Sequence, residues 1–311
     1  MKYPSKIVWF WNFPIGGFAN ATFQYLFAKY IEQALGCKII LGGINTSPTI
    51  LWELYDLPDH RKELASIRNK LSSEKIFLGM DRKSAPRNDL EKIKMHFSYA
   101  SDDVMLVDGY FQYDSNCLKN DKDYMAIFYK YFSLSHENTT FQRQIRGYQN
   151  KINAVYKDKY LITLHVRRGD YLNFELLNNW GGDIYYTMNL DNVLSDLNEY
   201  LQCNRITNSI IYVATDDHLF CKNYFTDKGI MYASAEDILG IVDQNDIKGL
   251  LVDIACIASA QLVVASNSSL SILSSFLNEK SQVFWRQTSN GKTISFDPWA
   301  TPILYGLESG I

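Results

Sequence analysis

The alternation of apolar and polar segments in the second half of this 311-residue chain predicts an α/β fold. Short apolar runs rich in β-branched residues alternate there with longer segments whose apolar residues recur every three or four positions. The short runs are typical of buried strands, and the longer segments of helices that cover a sheet. We predict strands at 161–166, 209–214, 229–232, 262–265 and 282–285, and helices at 191–201, 246–258 and through 277. Repeated βα units of this length indicate a parallel, doubly wound sheet.

The first half begins in the same way. A predicted strand at 6–12, a glycine-containing turn, a helix at 21–35 and a strand at 37–41 form a βαβ unit, with Gly36 as the helix stop. The pattern from 48 to 86 is weaker and predicts short helices and loops. A further strand is predicted within 104–113, and helices at 121–132 and 137–156. The last of these has a long polar face, as helices that connect domains often do. We therefore predict two domains, 1–155 and 156–311.

Composition narrows the class of protein. The chain is 47% hydrophobic and 21% charged, with a formal net charge of −3 and no block of lysine and arginine. This is typical of a soluble globular protein and does not favour a nucleic-acid partner. The five cysteines are scattered without CxxC spacing, which indicates reduced thiols rather than disulfides or a zinc site. The N-terminal apolar run is too short for a signal peptide, and no run reaches about 18 residues. We expect a cytoplasmic protein, peripheral to a membrane at most.

Three predicted strands of the second half end in polar clusters. Arg167, Arg168 and Asp170 follow the first, Asp216 and Asp217 the second, and the serine-rich segment 266–269 the third. Ligands of open α/β sheets bind outside the carboxyl ends of the strands, so these clusters are expected at one edge. Two guanidinium groups suit a diphosphate, because each is permanently charged and forked. A helix N-terminus after the serines also favours an anion.

Each cluster also has a structural explanation. Asp170 could simply neutralise an arginine, and the serines could be an ordinary helix N-cap. Asp216 and Asp217 could hold a metal ion, although two arginines make a divalent ion unnecessary, and we predict none. His165 lies within a strand, where a buried structural histidine is expected. The turn at Gly16 and Gly17 could admit a phosphate to a helix N-terminus, but its spacing is not GxGxxG.

Several segments together resemble those of the α-1,2-fucosyltransferases of bacterial type and their relatives that use GDP-fucose. Segment 165–171 (HVRRGDY) looks like the signature of this family. Four further segments are similar to family blocks in the same order along the chain: 16–25 (GGFANATFQY), 108–112 (DGYFQ), 215–217 (TDD) and 253–278, which contains SNSSLS.

The resemblance implies a GT-B fold, with two Rossmann-like domains facing a cleft. The N-terminal domain would lie on the acceptor side, and the C-terminal domain would bind the GDP-sugar. The implied activity is inverting, metal-independent transfer of L-fucose from GDP-β-L-fucose, with the 2-hydroxyl of a galactoside as the expected acceptor. The acceptor partner would be an oligosaccharide or a lipid-linked glycan, as in the biosynthesis of lipopolysaccharide O-antigen.

The resemblance also implies roles for individual residues. Arg167 and Arg168 would bind the diphosphate, with Arg168 stabilising the leaving group. The other implied donor-site residues are Ser268 and Ser269 for the phosphates, His165 and Asp253 for the nucleoside, and Asp216. Asn20 would approach the diphosphate or the sugar from the other domain. Glu175 is the candidate general base, because a related group of fucosyltransferases carries an acid there, and Asp170 is the alternative.

Two segments depart from the family pattern. The family loop usually reads Gly-Asn-Gln-Met where this chain has residues 19–22 (ANAT), and a tryptophan pair is common where this chain has Ile272 and Leu273. The alternatives are therefore a transferase for another GDP-hexose and a GDP-sugar-binding protein without catalysis. An oxidoreductase with a dinucleotide fold is disfavoured by the missing glycine fingerprint.

Overall fold

The computed structural model describes residues 2–42, 50–60, 62–64, 75–78, 84–99, 103–173, 185–240, 247–281 and 283–301. The chain forms two compact units, Met1–Arg143 and Gln144–Ile311. Each unit contains a parallel sheet with helices, so the predicted α/β class and the two Rossmann-like units are confirmed. The division falls 12 residues before the predicted boundary at 155, inside the helix that was expected to connect the domains.

The N-terminal unit is built on four parallel strands in the order β2-β1-β4-β3. Its elements are β1 (Ile7–Phe10), α1 (Phe18–Leu35), β2 (Lys38–Leu41), α2 (Ile50–Leu54), β3 (Lys75–Phe77), α3 (Pro86–Tyr99), β4 (Val104–Asp108), α4 (Ser115–Asn120), α5 (Lys122–Tyr131) and α6 (Thr140–Val155), which continues into the second unit.

The ends of these helices follow from local chemistry. Gly36 ends α1 in the left-handed conformation, with φ of 62°, and its N–H donates to the carbonyl of Glu32. Asp121 caps α5 by accepting from the N–H groups of Asp123 and Tyr124. The stop at Gly36 and a helix beginning at residue 121 were both predicted from the sequence. Helices α3 and α4 were not predicted, because their apolar faces are narrow within a mixed pattern.

The C-terminal unit has a five-stranded sheet in the order β6-β5-β7-β8-β9, parallel except for β9. Its elements are β5 (Tyr160–Val166), one turn of 3₁₀ helix (Asp170–Leu172), α7 (Leu190–Cys203), β6 (Ser209–Thr215), α8 (His218–Asp227), α9 (Ala235–Leu239), α10 (Ile247–Ile257), β7 (Leu262–Ala265), α11 (Ser269–Ser275), β8 (Val283–Gln287) and β9 (Thr293–Ser295). The predicted strand at 229–232 is wrong, since this segment reaches the sheet only through an isolated bridge of Ala233 to Tyr212.

Each sheet has a point at which the strand order changes direction. In the C-terminal unit β5 lies between β6 and β7, and in the N-terminal unit β1 lies between β2 and β4. The loops that leave the carboxyl ends of neighbouring strands diverge at such a point and leave a crevice where ligands bind. The crevice of the C-terminal unit lies between the segments after β5 and β7. These segments carry the predicted arginine and serine clusters.

Within the described parts of the chain, no helix has both the length and the apolar content needed to cross a lipid bilayer.

Candidate functional site

Arg168 lies directly beyond β5 and is held from three directions. Its backbone N–H donates to Asp216 Oδ1 at 2.8 Å, and its side-chain Nε donates to Asp217 Oδ2 at 3.2 Å. Its guanidinium carbon is 3.5 Å from the ring centroid of Phe220. The terminal nitrogens Nη1 and Nη2 have no acceptor among the described residues. A fixed guanidinium with an unoccupied fork is suited to two oxygens of one phosphate.

Arg167 has a different environment. Its Nη2 donates to Asp170 Oδ2 at 2.8 Å, and its Nη1 pairs with Asp216 Oδ2 at 2.9 Å. Burial acts to lower the pKa of this guanidinium, but the carboxylates of Asp216 and Asp170 keep it above its usual value. Both terminal nitrogens are thus engaged with the protein itself. Of the two arginines, only Arg168 has terminal nitrogens without an acceptor among the described residues. The Arg167 guanidinium instead holds the turn together through its two carboxylate contacts.

Gly169 allows this arrangement to be compact. A Cβ atom at this position would lie 2.7 Å from Asp216 Oδ2, closer than a Cβ atom approaches a heavy atom to which it is not bonded. Any larger residue would displace the carboxylate that joins Arg167 to the backbone of Arg168. Gly169 therefore allows the segment after β5 to approach Asp216, in the segment after β6, closely.

The segment after β7 is tied to the segment after β5. Ser266 Oγ lies 2.6 Å from Nδ1 of His165, and the Tyr171 hydroxyl donates to the carbonyl of Asn267 at 2.8 Å. Ser268 Oγ accepts from Leu270 N at 3.3 Å, which is an ordinary N-cap interaction. The structure therefore brings the arginine and serine clusters to one edge of the sheet, as expected. It also gives the Ser268 hydroxyl a structural partner, and Ser269 follows as the first residue of α11.

The two predicted nucleoside contacts are buried ionisable groups. Burial, with a contribution from the charge of Arg167, lowers the pKa of His165 to about 3, so this imidazole is neutral at physiological pH. Asp253 lies on α10 and accepts a 2.6 Å hydrogen bond from the Tyr212 hydroxyl. Burial raises the pKa of Asp253 to about 8. Asp253 therefore contacts Tyr212, a residue of the central part of β6, rather than the arginine cluster.

Polar side chains also join the two loops at the crevice of the N-terminal unit. Asn20 lies in the first turn of α1, and its Oδ1 accepts from the Gln112 side chain. Gln24 accepts from Ile15 N at 3.0 Å and donates to the carbonyl of Gly109 at 2.9 Å. Sequence reasoning gave no role to Gln24 or Gln112. The only sequence signal for such a role was the position of Gln24, a polar residue among the apolar residues of the predicted helix.

The remaining predicted site residues are acidic, and those that the structure describes contact the arginines. Asp170 and Asp216 are engaged with Arg167 as described, and Glu175 lies outside the described residues. Asp216 and Asp217, the candidate metal pair, hold the arginines. In the part of the chain that is described, no three His, Cys, Asp or Glu side chains are grouped so as to ligate an ion.

No family model matches this chain, and no curated protein does. Among solved structures, the chain is similar to the fucosyltransferase NodZ from Bradyrhizobium, with 12% identity, a TM-score of 0.49, and coverage of 94% of this chain and 98% of that one. It is also similar to a mutant of Arabidopsis thaliana FUT1 in complex with GDP, with 11% identity, a TM-score of 0.45, and coverage of 98% and 78%. A third similar structure is POFUT1 in complex with GDP-fucose, with 11% identity, a TM-score of 0.40, and coverage of 93% and 99%.

Proposed function

We propose that this protein is a glycosyltransferase that moves L-fucose from GDP-β-L-fucose to a hydroxyl of an acceptor glycan. The observation that carries the proposal is the environment of Arg168. Its guanidinium is fixed at the strand-order reversal of the C-terminal sheet, and its Nη1 and Nη2 are unoccupied among the described residues. The sequence resemblance of segments 165–171 and 253–278 supports the identity of the donor.

In the proposed reaction the acceptor oxygen attacks the anomeric carbon of fucose. The bond from that carbon to the β-phosphate oxygen breaks, and GDP leaves with the bonding electron pair. The acceptor proton passes to a general base. Negative charge grows on the diphosphate as the bond breaks, so a preorganised guanidinium stabilises the transition state more than the ground state. Arg168 supplies this charge, and Arg167 with its two carboxylates holds the turn in place.

The finer parts of the proposal follow the sequence resemblance. Transfer inverts the anomeric configuration, requires no metal ion and uses the 2-hydroxyl of a galactoside on an oligosaccharide or a lipid-linked glycan, as in O-antigen assembly. The protein acts in the cytoplasm, peripheral to the membrane at most. Glu175 is the proposed base. Asp170 is the weaker candidate, because its Oδ2 is engaged with Arg167 at 2.8 Å.

The test is a transfer assay with purified protein, GDP-fucose and a panel of β-galactosides, with EDTA present. We expect GDP release together with a fucosylated product whose linkage NMR identifies. The matched control is GDP-mannose as the donor, which distinguishes fucose transfer from transfer of another GDP-hexose. Binding of GDP without turnover on any acceptor would favour a non-catalytic binding protein. Absence of GDP binding would refute the proposed donor site.

A further inference from the structure

Phe220 is the residue under the Arg168 guanidinium, and nothing in the sequence patterns assigns it a role. The guanidinium carbon lies 3.5 Å from the centre of the Phe220 ring, the shortest such distance among the described cation–ring pairs. Phe220 is half-buried in the first turn of α8. A guanidinium over an aromatic face is attracted by the ring quadrupole, and its plane is restrained by stacking.

One carboxylate couples the ring to the arginine. Asp217 caps α8, with its Oδ1 accepting from the backbone N–H of Phe220 at 3.1 Å, and its Oδ2 accepts from Arg168 Nε at 3.2 Å. The turn is joined to β5 as well. Thr215 Oγ1 accepts from Asp217 N at 3.0 Å and donates to the Val166 carbonyl at 2.8 Å. The N-terminal end of α8 thus contacts the Arg168 guanidinium through both the Asp217 carboxylate and the Phe220 ring.

We propose that Phe220 and Asp217 are positioning residues, which fix the Arg168 guanidinium so that its Nη1–Nη2 edge faces the ligand. This inference rests on the proposed donor site and identifies the residues that orient the guanidinium of its arginine. The reason is geometric. A guanidinium offers two forks, and Asp217 occupies the one that includes Nε. The Phe220 ring covers one face of the guanidinium plane. The fork formed by Nη1 and Nη2 therefore remains for two oxygens of a single phosphate.

The first experiment compares Phe220→Leu with Phe220→Tyr, which keeps the aromatic face. We expect Phe220→Leu to lower kcat for GDP-fucose about tenfold, with KM changed less. Without the ring, the Arg168 guanidinium is less well oriented to stabilise the charge that develops on the diphosphate in the transition state. Phe220→Tyr should stay within about twofold of the wild type, because its ring face is retained. Leu219→Ala, an exposed residue of the same helix, is the matched control and should leave kcat unchanged.

The second experiment asks whether Phe220 acts through Arg168. In an Arg168→Lys background, Phe220→Leu should cause no further loss of kcat, because an ammonium has no plane to orient. Asp217→Asn keeps an oxygen that can cap α8 but removes the charge facing Nε, so it should reproduce the loss of kcat seen with Phe220→Leu. Calorimetric binding of GDP and GMP gives an independent readout. The preference for GDP should fall in Phe220→Leu and Asp217→Asn, with GMP affinity maintained.

The outcomes separate the inference from the function on which it rests. Wild-type protein that does not bind GDP would overturn both. Wild-type protein that binds GDP and transfers fucose, while Phe220→Leu keeps its kcat and its GDP preference within about twofold, would overturn the positioning role alone. Equal losses in Phe220→Leu and Phe220→Tyr would also overturn it. Should Phe220→Leu fail to fold by circular dichroism, Asp217→Asn and its double mutant with Arg168→Lys decide the question.

Discussion

Arg167 and Arg168 are neighbours in the sequence, yet their side chains have different partners. The Arg167 guanidinium pairs with the carboxylates of Asp170 and Asp216. The Arg168 guanidinium lies on Phe220, and its terminal nitrogens have no acceptor among the described residues. Both side chains reach the segment after β6, but Arg167 pairs with Asp216 and with Asp170 of its own turn, whereas Arg168 pairs with Asp217 and stacks on α8. Arg167 therefore holds the turn together, and in the proposed function Arg168 is the arginine that binds the ligand.

This division predicts different phenotypes for two matched substitutions. Arg168→Lys should lower kcat by roughly 10²–10³, because the ammonium lacks the fork that would hold two phosphate oxygens. Arg167→Lys should instead lower the melting temperature by roughly a few degrees, since it loses one of two carboxylate contacts. Steady-state kinetics and thermal denaturation of both variants measure this. A larger kinetic effect at Arg167 than at Arg168 would contradict the assignment.

At the scale of elements, the site depends on how closely the turns after β5 and β6 approach each other. Their contact includes the Gly169 backbone, Asp216 and the two arginines. Most strands and helices were predictable, because their periods and stop signals are local. Two short strands were missed: β3 lies in a segment predicted as short helices and loops, and β9 follows the last predicted strand. The closeness of two turns that are more than 40 residues apart in sequence was not, since no local pattern encodes it.

Gly169→Ala tests this closeness. The added Cβ would stand 2.7 Å from Asp216 Oδ2, so the carboxylate must move and weaken its contacts with both arginines. We expect kcat to fall about tenfold or more, because displacements near 1 Å cost up to about 10²-fold. The matched control is Gly147→Ala, at an exposed position of α6 where a Cβ meets nothing within 4 Å. It should keep full activity and raise stability by about 1 kcal/mol through helix propensity. Unchanged kinetics in Gly169→Ala would show that Asp216 is not needed in its present position.

At the scale of the whole molecule, two buried groups make stability depend on pH in opposite directions. The pKa of His165 is about 3, below its value in an unfolded chain, so protons favour the unfolded state and stability rises between about pH 3 and 6.5. The pKa of Asp253 is about 8, above the unfolded value of 3.8, so the folded state holds the proton longer. The contribution of Asp253 to stability is therefore largest at low pH and is lost as pH rises from about 4 to 8.

Asp253→Asn isolates the second of these effects. Asparagine keeps an oxygen that accepts from Tyr212 but cannot ionise. The free energy of unfolding of the variant relative to wild type should increase from pH 5 to pH 8, by an amount on the order of 3 kcal/mol. Urea denaturation at both pH values measures the difference, and the contribution of His165 cancels in it. A difference that stays constant across this range would mean that Asp253 titrates as an ordinary exposed carboxyl.

The sequence by itself determined the α/β class, the parallel strands of the C-terminal sheet, the glycine that ends α1 and the approximate start of α5. It also located the arginine and serine clusters, because each follows directly from a buried strand. These are local properties, carried by side-chain period and by the preferences of capping residues.

Only the tertiary structure decided which arginine is available and what holds it. The partners of Arg168 are Asp216, Asp217 and Phe220, which lie roughly 50 residues further along the chain and reach it because β5 and β6 pair side by side. In the N-terminal unit, the pairing of β1 with β4 likewise brings Gln112 to Asn20. Such contacts depend on strand order and on the space between loops, which are set by packing of the whole chain and not by any segment alone.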